Sequence, residues 1–241
     1  MDNSILNEDK KSVKFVVSDL HFPFFDDKVL SRFEEHLEKD QPDKLIMAGD
    51  MIDCGEISKF SKNPHTTISL KEEIQGFTDL IKEWLRISPK ITIVYIFGNH
   101  EFRLSQFLMR QAPELYDFIQ LEDLFNFGTL PIEIITGRKD VNKFVDNYIQ
   151  EDGFTIGHFD KALQEPGASV NWLYQKRIRG SIIQSHCHKA AHLIKKDIEG
   201  NIYHLMECGC LCKTQSSFTS ETNWINAFVK LRGGAPELVI L

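Results

Sequence analysis

Three short apolar runs, each followed at once by a polar cluster and separated from the next by a helical pattern, leave this chain few folds to choose from. The runs are 13–18 (VKFVVS), 44–48 (KLIMA) and 91–97 (ITIVYIF). Their apolar residues are nearly continuous rather than alternating, the mark of strands buried on both faces. Between the first two runs, 26–38 (DDKVLSRFEEHLE) sets Val29, Leu30, Phe33 and Leu37 at helical spacing. Between the second and third, 70–87 (LKEEIQGFTDLIKEWLRI) has the period of a long amphipathic helix. The order β-α-β-α-β predicts an α/β fold with parallel strands and right-handed crossovers.

The second half has a different pattern. A helical stretch near 101–126 is followed by strand-like segments at 131–136, 154–157, 181–185, 191–197, 201–207 and 226–241, the last broken at Arg232 to Pro236. Only 168–178 reads as a helix here. A turn at Glu199-Gly200 joins two of the strands, and the whole predicts a second sheet built from antiparallel hairpins. With no repeat, linker or low-complexity tract, residues 1–241 are expected to form a single domain. Hydrophobic residues make up 42% and charged residues 26%, so a core is available without disulfides. The first residues, MDNSILNEDKK, lack the pattern of a signal peptide, and no apolar run reaches the ~18 residues of a membrane span. A cytoplasmic protein with no membrane contact is therefore expected. In that reducing compartment the five Cys read as thiols or metal ligands. The net charge of -7 argues against a broad basic grip on nucleic acid.

The polar clusters carry the chemistry. The three runs end in Ser18-Asp19-Leu20-His21, in Gly49-Asp50-Met51-Ile52-Asp53 and in Gly98-Asn99-His100-Glu101. Ligands gather at the carboxyl ends of strands in open α/β sheets, so these clusters should converge. Two more, Gly157-His158 and Ser185-His186-Cys187-His188, follow strand-like runs in the second half. Two carboxylates, an amide oxygen and four imidazoles suit Mn, Fe or Zn. Seven donors exceed one tetrahedral ion but serve two if a carboxylate bridges. Two ions ~3.5–4 Å apart can share a hydroxide and clamp the oxygens of a phosphoryl group, so hydrolysis of a phosphoester uses every part. Singly, each cluster has an ordinary explanation, as a turn, a helix cap or one face of a strand. Their joint occurrence, each after an apolar run, favours the site.

In this order, D-x-H, G-D-x-x-D, G-N-H-E, an isolated His and H-x-H resemble the motif set of the calcineurin-like metallophosphoesterases, over residues 13–212. The resemblance implies a four-layer α/β/β/α sandwich of two facing mixed sheets with flanking helices. It implies one ion on Asp19, His21, Asp50 and His188, and a second on Asp50, Asn99, His158 and His186, with Asp50 bridging. His100 would then hydrogen-bond the phosphate and protonate the leaving oxygen, a task suited to imidazole. Asp53 would orient that ring and favour its charged form. Arg103, one helical turn on, and Asn99 would contact the substrate phosphate. Glu101 reads as a capping or supporting acceptor. The chain departs from the usual G-H-T-H at Ser185-His186-Cys187-His188, and it has Phe159 after His158 where relatives often carry Gly. His192 and His204 are the substitutes should His158 not ligate. The stretches 57–64, 98–104 and 209–212, with Asn223, Trp224 and Phe228, look like small stand-alone members from phage and bacteria.

The implied activity is dimetal-dependent hydrolysis of phosphomono- or diesters by a metal-bridging hydroxide, with nucleotides or small phosphoesters as substrates. A DNA or RNA nuclease is the alternative, and a non-catalytic binding module is the reading from another class. If 201–212 is one strand, Cys208, Cys210 and Cys212 share a face and turn their thiols to the core rather than to a third metal. Cys54 reads as packing. Lys176, Arg177 and Arg179 beside Trp172 and Tyr174 read as a solvated helix face, with a nucleic-acid contact as the alternative.

Overall fold

The computed structural model describes residues 12–60, 68–125, 127–128, 130–136, 147–214 and 223–241. The three apolar runs form β1 (Val13–Val17), β2 (Lys44–Ala48) and β3 (Thr92–Ile96), paired in parallel and joined through α1 (Asp27–Asp40) and α2 (Leu70–Ile87). Both helices start at residues that satisfy their free N–H groups. Asp26 accepts from Lys28 N and Val29 N, and Ser69 with Glu72 forms a capping box. The predicted helix at 101–126 is instead α3 (Arg103–Gln111), a 3-10 turn and the short α4 (Leu121–Leu124). Pro113 explains the break, because its ring forces Ala112 out of the helical region, to φ -155 and ψ 63.

The second half does not make one separate sheet of hairpins. β4 (Ile132–Ile135) adds in parallel to β3, and β10 (Ala227–Arg232) returns antiparallel to β1 with β11 (Ala235–Ile240) outside it. The first sheet therefore runs β11-β10-β1-β2-β3-β4. Strand β10 is apolar on both faces, with Phe228 against Phe15 and Phe33 on one side and Val229 and Leu231 in the core on the other. Such a strand needs cover on both faces, which the flank of β1 provides. The second sheet is β5 (Tyr148–Glu151), β6 (Phe154–Gly157), β7 (Ser181–Gln184), β9 (Ile202–Cys208) and β8 (Ala190–Lys196), in that spatial order. Its centre, β6, β7 and β9, is parallel, and only β5/β6 and β8/β9 are antiparallel pairs.

Four layers result. Phe33, Leu37, Phe77, Ile81, Trp84 and Leu104 pack α1, α2 and α3 on the outer face of the first sheet. Val16, Ile46 and Ile96 meet Ile156, Ile183 and Met206 between the sheets. On the far side α5 (Ala168–Lys176) lays Val170 and Leu173 on Ile182, Leu205 and Phe159. Buried Glu207 fixes the start of α5 by accepting from Gly167 N (2.7 Å), Ser169 N (3.1 Å) and Val170 N (3.2 Å). This is the α/β/β/α sandwich. Among the described residues no helix is long and apolar enough to cross a membrane.

Candidate metal centre

The loops leaving β1 and β2 are zipped together by Asp19 N to Gly49 O (3.0 Å), His21 N to Asp50 O (3.0 Å) and Phe22 N to Met51 O (2.9 Å). Eight non-glycine residues among those described have positive φ, and five of them are Asp19 (51°), His21 (48°), Asp50 (51°), His186 (74°) and His188 (58°). A left-handed L-residue costs roughly 1–2 kcal/mol. Such strain concentrated on adjoining side chains marks a site rather than chance loop geometry. Glu101 holds the strained turn from beneath. It is buried and accepts from Asp50 N (3.0 Å), Met51 N (2.8 Å), Gly98 N (2.7 Å) and Tyr95 Oη (2.6 Å). Gly98 is needed for close approach, since a Cβ there would sit 2.3 Å from Asp50 Oδ1.

Two clusters form on this frame. In the first, His188 Nε2 lies 3.1 Å from Asp19 Oδ1 and 3.2 Å from His21 Nε2. In the second, His158 Nε2 lies 3.2 Å from Asp50 Oδ2, 3.0 Å from Asn99 Oδ1 and 3.1 Å from His186 Nδ1. Asp50 also groups with His21 and His100, so it stands between the clusters. Asp53 Oδ1 lies 3.0 Å from His100 Nδ1 and 3.3 Å from His21 Nδ1. Arg103 donates from Nη1 to Asp53 O (2.6 Å), and its Nη2 is 2.9 Å from His100 Nε2. All ten sequence-expected site residues thus lie in one connected assembly. His192 and His204 lie apart, paired with each other at 2.9 Å across β8 and β9.

A family model described as calcineurin-like phosphoesterase matches residues 15–211. The chain belongs to the calcineurin-like phosphoesterase family. The SbcD nuclease subunit from Staphylococcus epidermidis is 31% identical over 149 residues, covering 57% of this chain and 34% of that protein. The chain therefore spans about a third of that relative's length. The Gene 54 protein of Mycobacterium phage L5 is 22% identical over 227 residues, 90% of this chain and 87% of that protein. Among solved structures, Vacuolar Protein Sorting 29 of Cryptosporidium parvum is similar at TM-score 0.43 and 14% identity, covering 97% of this chain and 98% of that chain. A dimetal phosphatase from Danio rerio is similar at TM-score 0.41 and 9% identity, covering 96% and 99%.

The donor set of this family member fits divalent ions. Potential ligand atoms converge at 3.0–3.2 Å in both clusters. That is the ligand spacing around an ion with bonds of about 2.1 Å. Asp19 Oδ2 accepts from Ser18 Oγ and His186 N, whereas buried Asp19 Oδ1 has no aligned donor, as a metal-facing oxygen requires. His158 is held from behind by Ala48 O and Ser185 Oγ, each 3.0 Å from Nδ1.

Electrostatics agree with that geometry. Burial alone would lower both His158 and His188, but the Asp50 and Asp19 carboxylates outweigh it and raise them to about 9 and about 10. Burial opposes the charge on Asp53, yet His100 and His21 hold it far below the carboxylate range. With both imidazoles raised above their ordinary 6.5, the metal-free protein gains stability that is complete below that pH and is lost as pH rises through about 9 and 10. Ligation needs neutral rings, so metal affinity should rise over the same window by up to about tenfold per pH unit for each proton displaced. Thermal melting and metal titration against pH check both signs, and profiles flat across this window would contradict them.

Several supporting residues carry no signal in the sequence. Strand β9 ends at Cys208, because Gly209 turns with φ 78°, so Cys210 and Cys212 do not continue its face. All three thiols are buried, but Cys212 Sγ stands 3.6 Å from His188 Nδ1. The Cys210 thiol, against burial and together with His188, pulls Cys212 below the ordinary thiol range. Glu73 of α2, raised to about 7 by burial, accepts from Cys54 N (2.6 Å) and anchors the chain just after Asp53. No spacing rule links such distant residues to the motifs. Arg177 and Arg179 lie over the rings of Trp172 and Tyr174.

Proposed function

We propose that the chain is a phosphoesterase that uses two divalent ions to hydrolyse phosphomono- or diesters of nucleotides or other small molecules. The carrying observation is that Asp19, His21 and His188 form one cluster and Asp50, Asn99, His158 and His186 another, with Asp50 also grouped with His21 and His100. Asp19, His21, Asp50 and His188 would hold one ion, and Asp50, Asn99, His158 and His186 the other. Mn is the first choice for this mixed oxygen and nitrogen set, with Fe or Zn as alternatives. The ions would supply positive charge for the phosphoryl oxygens and a water-derived nucleophile at neutral pH.

The protein's own groups manage the leaving oxygen. Asp53 Oδ1 accepts the Nδ1 proton of His100 and fixes the ring, which leaves Nε2 to act. In the resting site Arg103 Nη2 lies 2.9 Å from Nε2 and occupies that position. An anionic phosphate drawing the guanidinium to itself would release Nε2 to take up a proton. Attack on phosphorus then breaks the P–O ester bond, and the departing oxygen takes that proton. The full donor set with His100 supports catalysis over a silent binding module. The core shared by the two sheets supports a single domain over 1–241. Five free, buried cysteines support a reducing, cytoplasmic setting.

The identity to the SbcD nuclease subunit favours nucleic acid as the second reading. Hydrolysis of an aryl monoester, an aryl diester and single- and double-stranded DNA by Mn-supplemented protein separates the two. The small-ester reading predicts faster turnover of aryl esters or nucleotides than of DNA. Preferential cleavage of DNA would replace it with the nuclease.

A further inference from the structure

Three imidazoles present Nε2 to the clusters, and each has a partner on its outward nitrogen. His21 Nδ1 lies 3.3 Å from Asp53 Oδ1, and His158 Nδ1 lies 3.0 Å from Ala48 O. His188 Nδ1 instead meets a sulfur, Cys212 Sγ, at 3.6 Å. A histidine that ligates through Nε2 needs an acceptor on Nδ1–H, which sets the tautomer and the ring angle and raises the basicity of the ligating nitrogen. We propose that Cys212 is the positioning residue of His188, its sulfur accepting the Nδ1 proton and turning Nε2 toward the ion. The inference rests on the dimetal reading above.

The peptide carrying that sulfur is firmly held. Cys212 N donates to Asp19 O at 3.0 Å, so the sulfur behind one ligand of the first cluster is tied to the backbone of another. Cys212 O accepts from Asn226 Nδ2 at 2.8 Å. Cys212 is buried, which keeps water from replacing the sulfur as acceptor. The Trp224 ring packs against that of His188, with centroids 4.2 Å apart.

The competing role for the sulfur is that of a ligand. His188, Cys210 and Cys212 could surround a soft ion by themselves. Such an ion would take Nδ1, whereas Nε2 already faces Asp19 and His21. Positioning uses both nitrogens as the structure has them.

Calorimetric Mn titration of wild type, Cys212→Ala, Cys212→Val and Cys212→Ser is the test, joined to the imidazole N–H signals of metal-free protein. Alanine and valine should weaken one of the two sites by about 10–100-fold and spare the other. Serine, which restores an acceptor, should recover most of that loss. Valine fills the sulfur's volume, so it carries the comparison if the alanine variant does not fold. Equal affinities at both sites in valine and wild type would overturn the inference. So would a thiolate-to-cobalt charge-transfer band in cobalt-loaded wild type, because the sulfur would then be a ligand. Wild type that takes up no metal would sink the dimetal reading instead. In that event a protected His188 Nδ1–H signal lost in Cys212→Val supports the hydrogen bond, and its absence from wild type overturns it.

Discussion

A Glu101→Ala variant will be less stable than wild type by on the order of 3–5 kcal/mol, and its metal titration will lose its high-affinity component. Glu101 is 1% exposed and receives hydrogen bonds from the backbone of Asp50, Met51 and Gly98 and from the Tyr95 hydroxyl. Truncation leaves these donors in a space closed to water. Each buried group without a partner costs roughly 1–3 kcal/mol. Because Asp50 is held with φ 51° on this same turn, released donors let its backbone relax and carry its carboxylate away from His158, His21 and His100. Glu101→Gln keeps the shape but sets an NH2 group against N–H donors, so it should recover only part of the loss. Denaturant unfolding and Mn calorimetry check the pair. An alanine variant as stable as wild type would remove Glu101 from this role.

His100→Ala should lower turnover by roughly 10²–10⁴-fold while leaving Mn stoichiometry and affinity unchanged. The ring contacts Asp53 and Arg103, and His100 Nε2 lies 3.8 Å from Asp50 Oδ2. Loss of a proton donor and loss of a positioning group are separated by the leaving group. An aryl oxide that departs without a proton needs no acid, so the deficit should shrink for activated aryl esters and grow for alkyl esters. A deficit equal for both ester types would mean that His100 serves binding alone. Asp53→Asn should show the same trend with a smaller loss, because the ring keeps an oxygen acceptor.

The first half of the fold and most of the site are legible because their signals are local. The apolar runs at 13–18, 44–48 and 91–97 define strands, and each polar cluster follows its strand within a few residues. Parallel pairing then brings Asp19, Asp50 and Asn99 to one edge without long-range information. Strand β10 escapes correct placement because its partner β1 lies two hundred residues earlier, as in the pairing Val13↔Arg232. Only the demand of Phe228 and Val229 for cover on opposite faces points there, and that demand says nothing of which sheet meets it. Strand β5 is hidden because YIQE is half exposed and gains its order from pairing with β6. Helical spacing places Arg103 on the face of His100, but its engagement with Asp53 depends on how α3 meets the loop after β2. The approach of Cys212 to His188 is concealed for a similar reason, since Gly209 turns the chain off β9 just before it.

The central claim is that the two clusters act together as one hydrolytic centre through Asp50. Its most direct test is aryl phosphoester turnover measured on samples of known Mn content, for wild type beside folded Asp50→Asn. Wild type carrying two Mn per chain should hydrolyse an aryl monoester or diester, and Asp50→Asn should lose both turnover and Mn. Wild type carrying two Mn that turns over neither ester, or Asp50→Asn that retains full activity, would contradict the account.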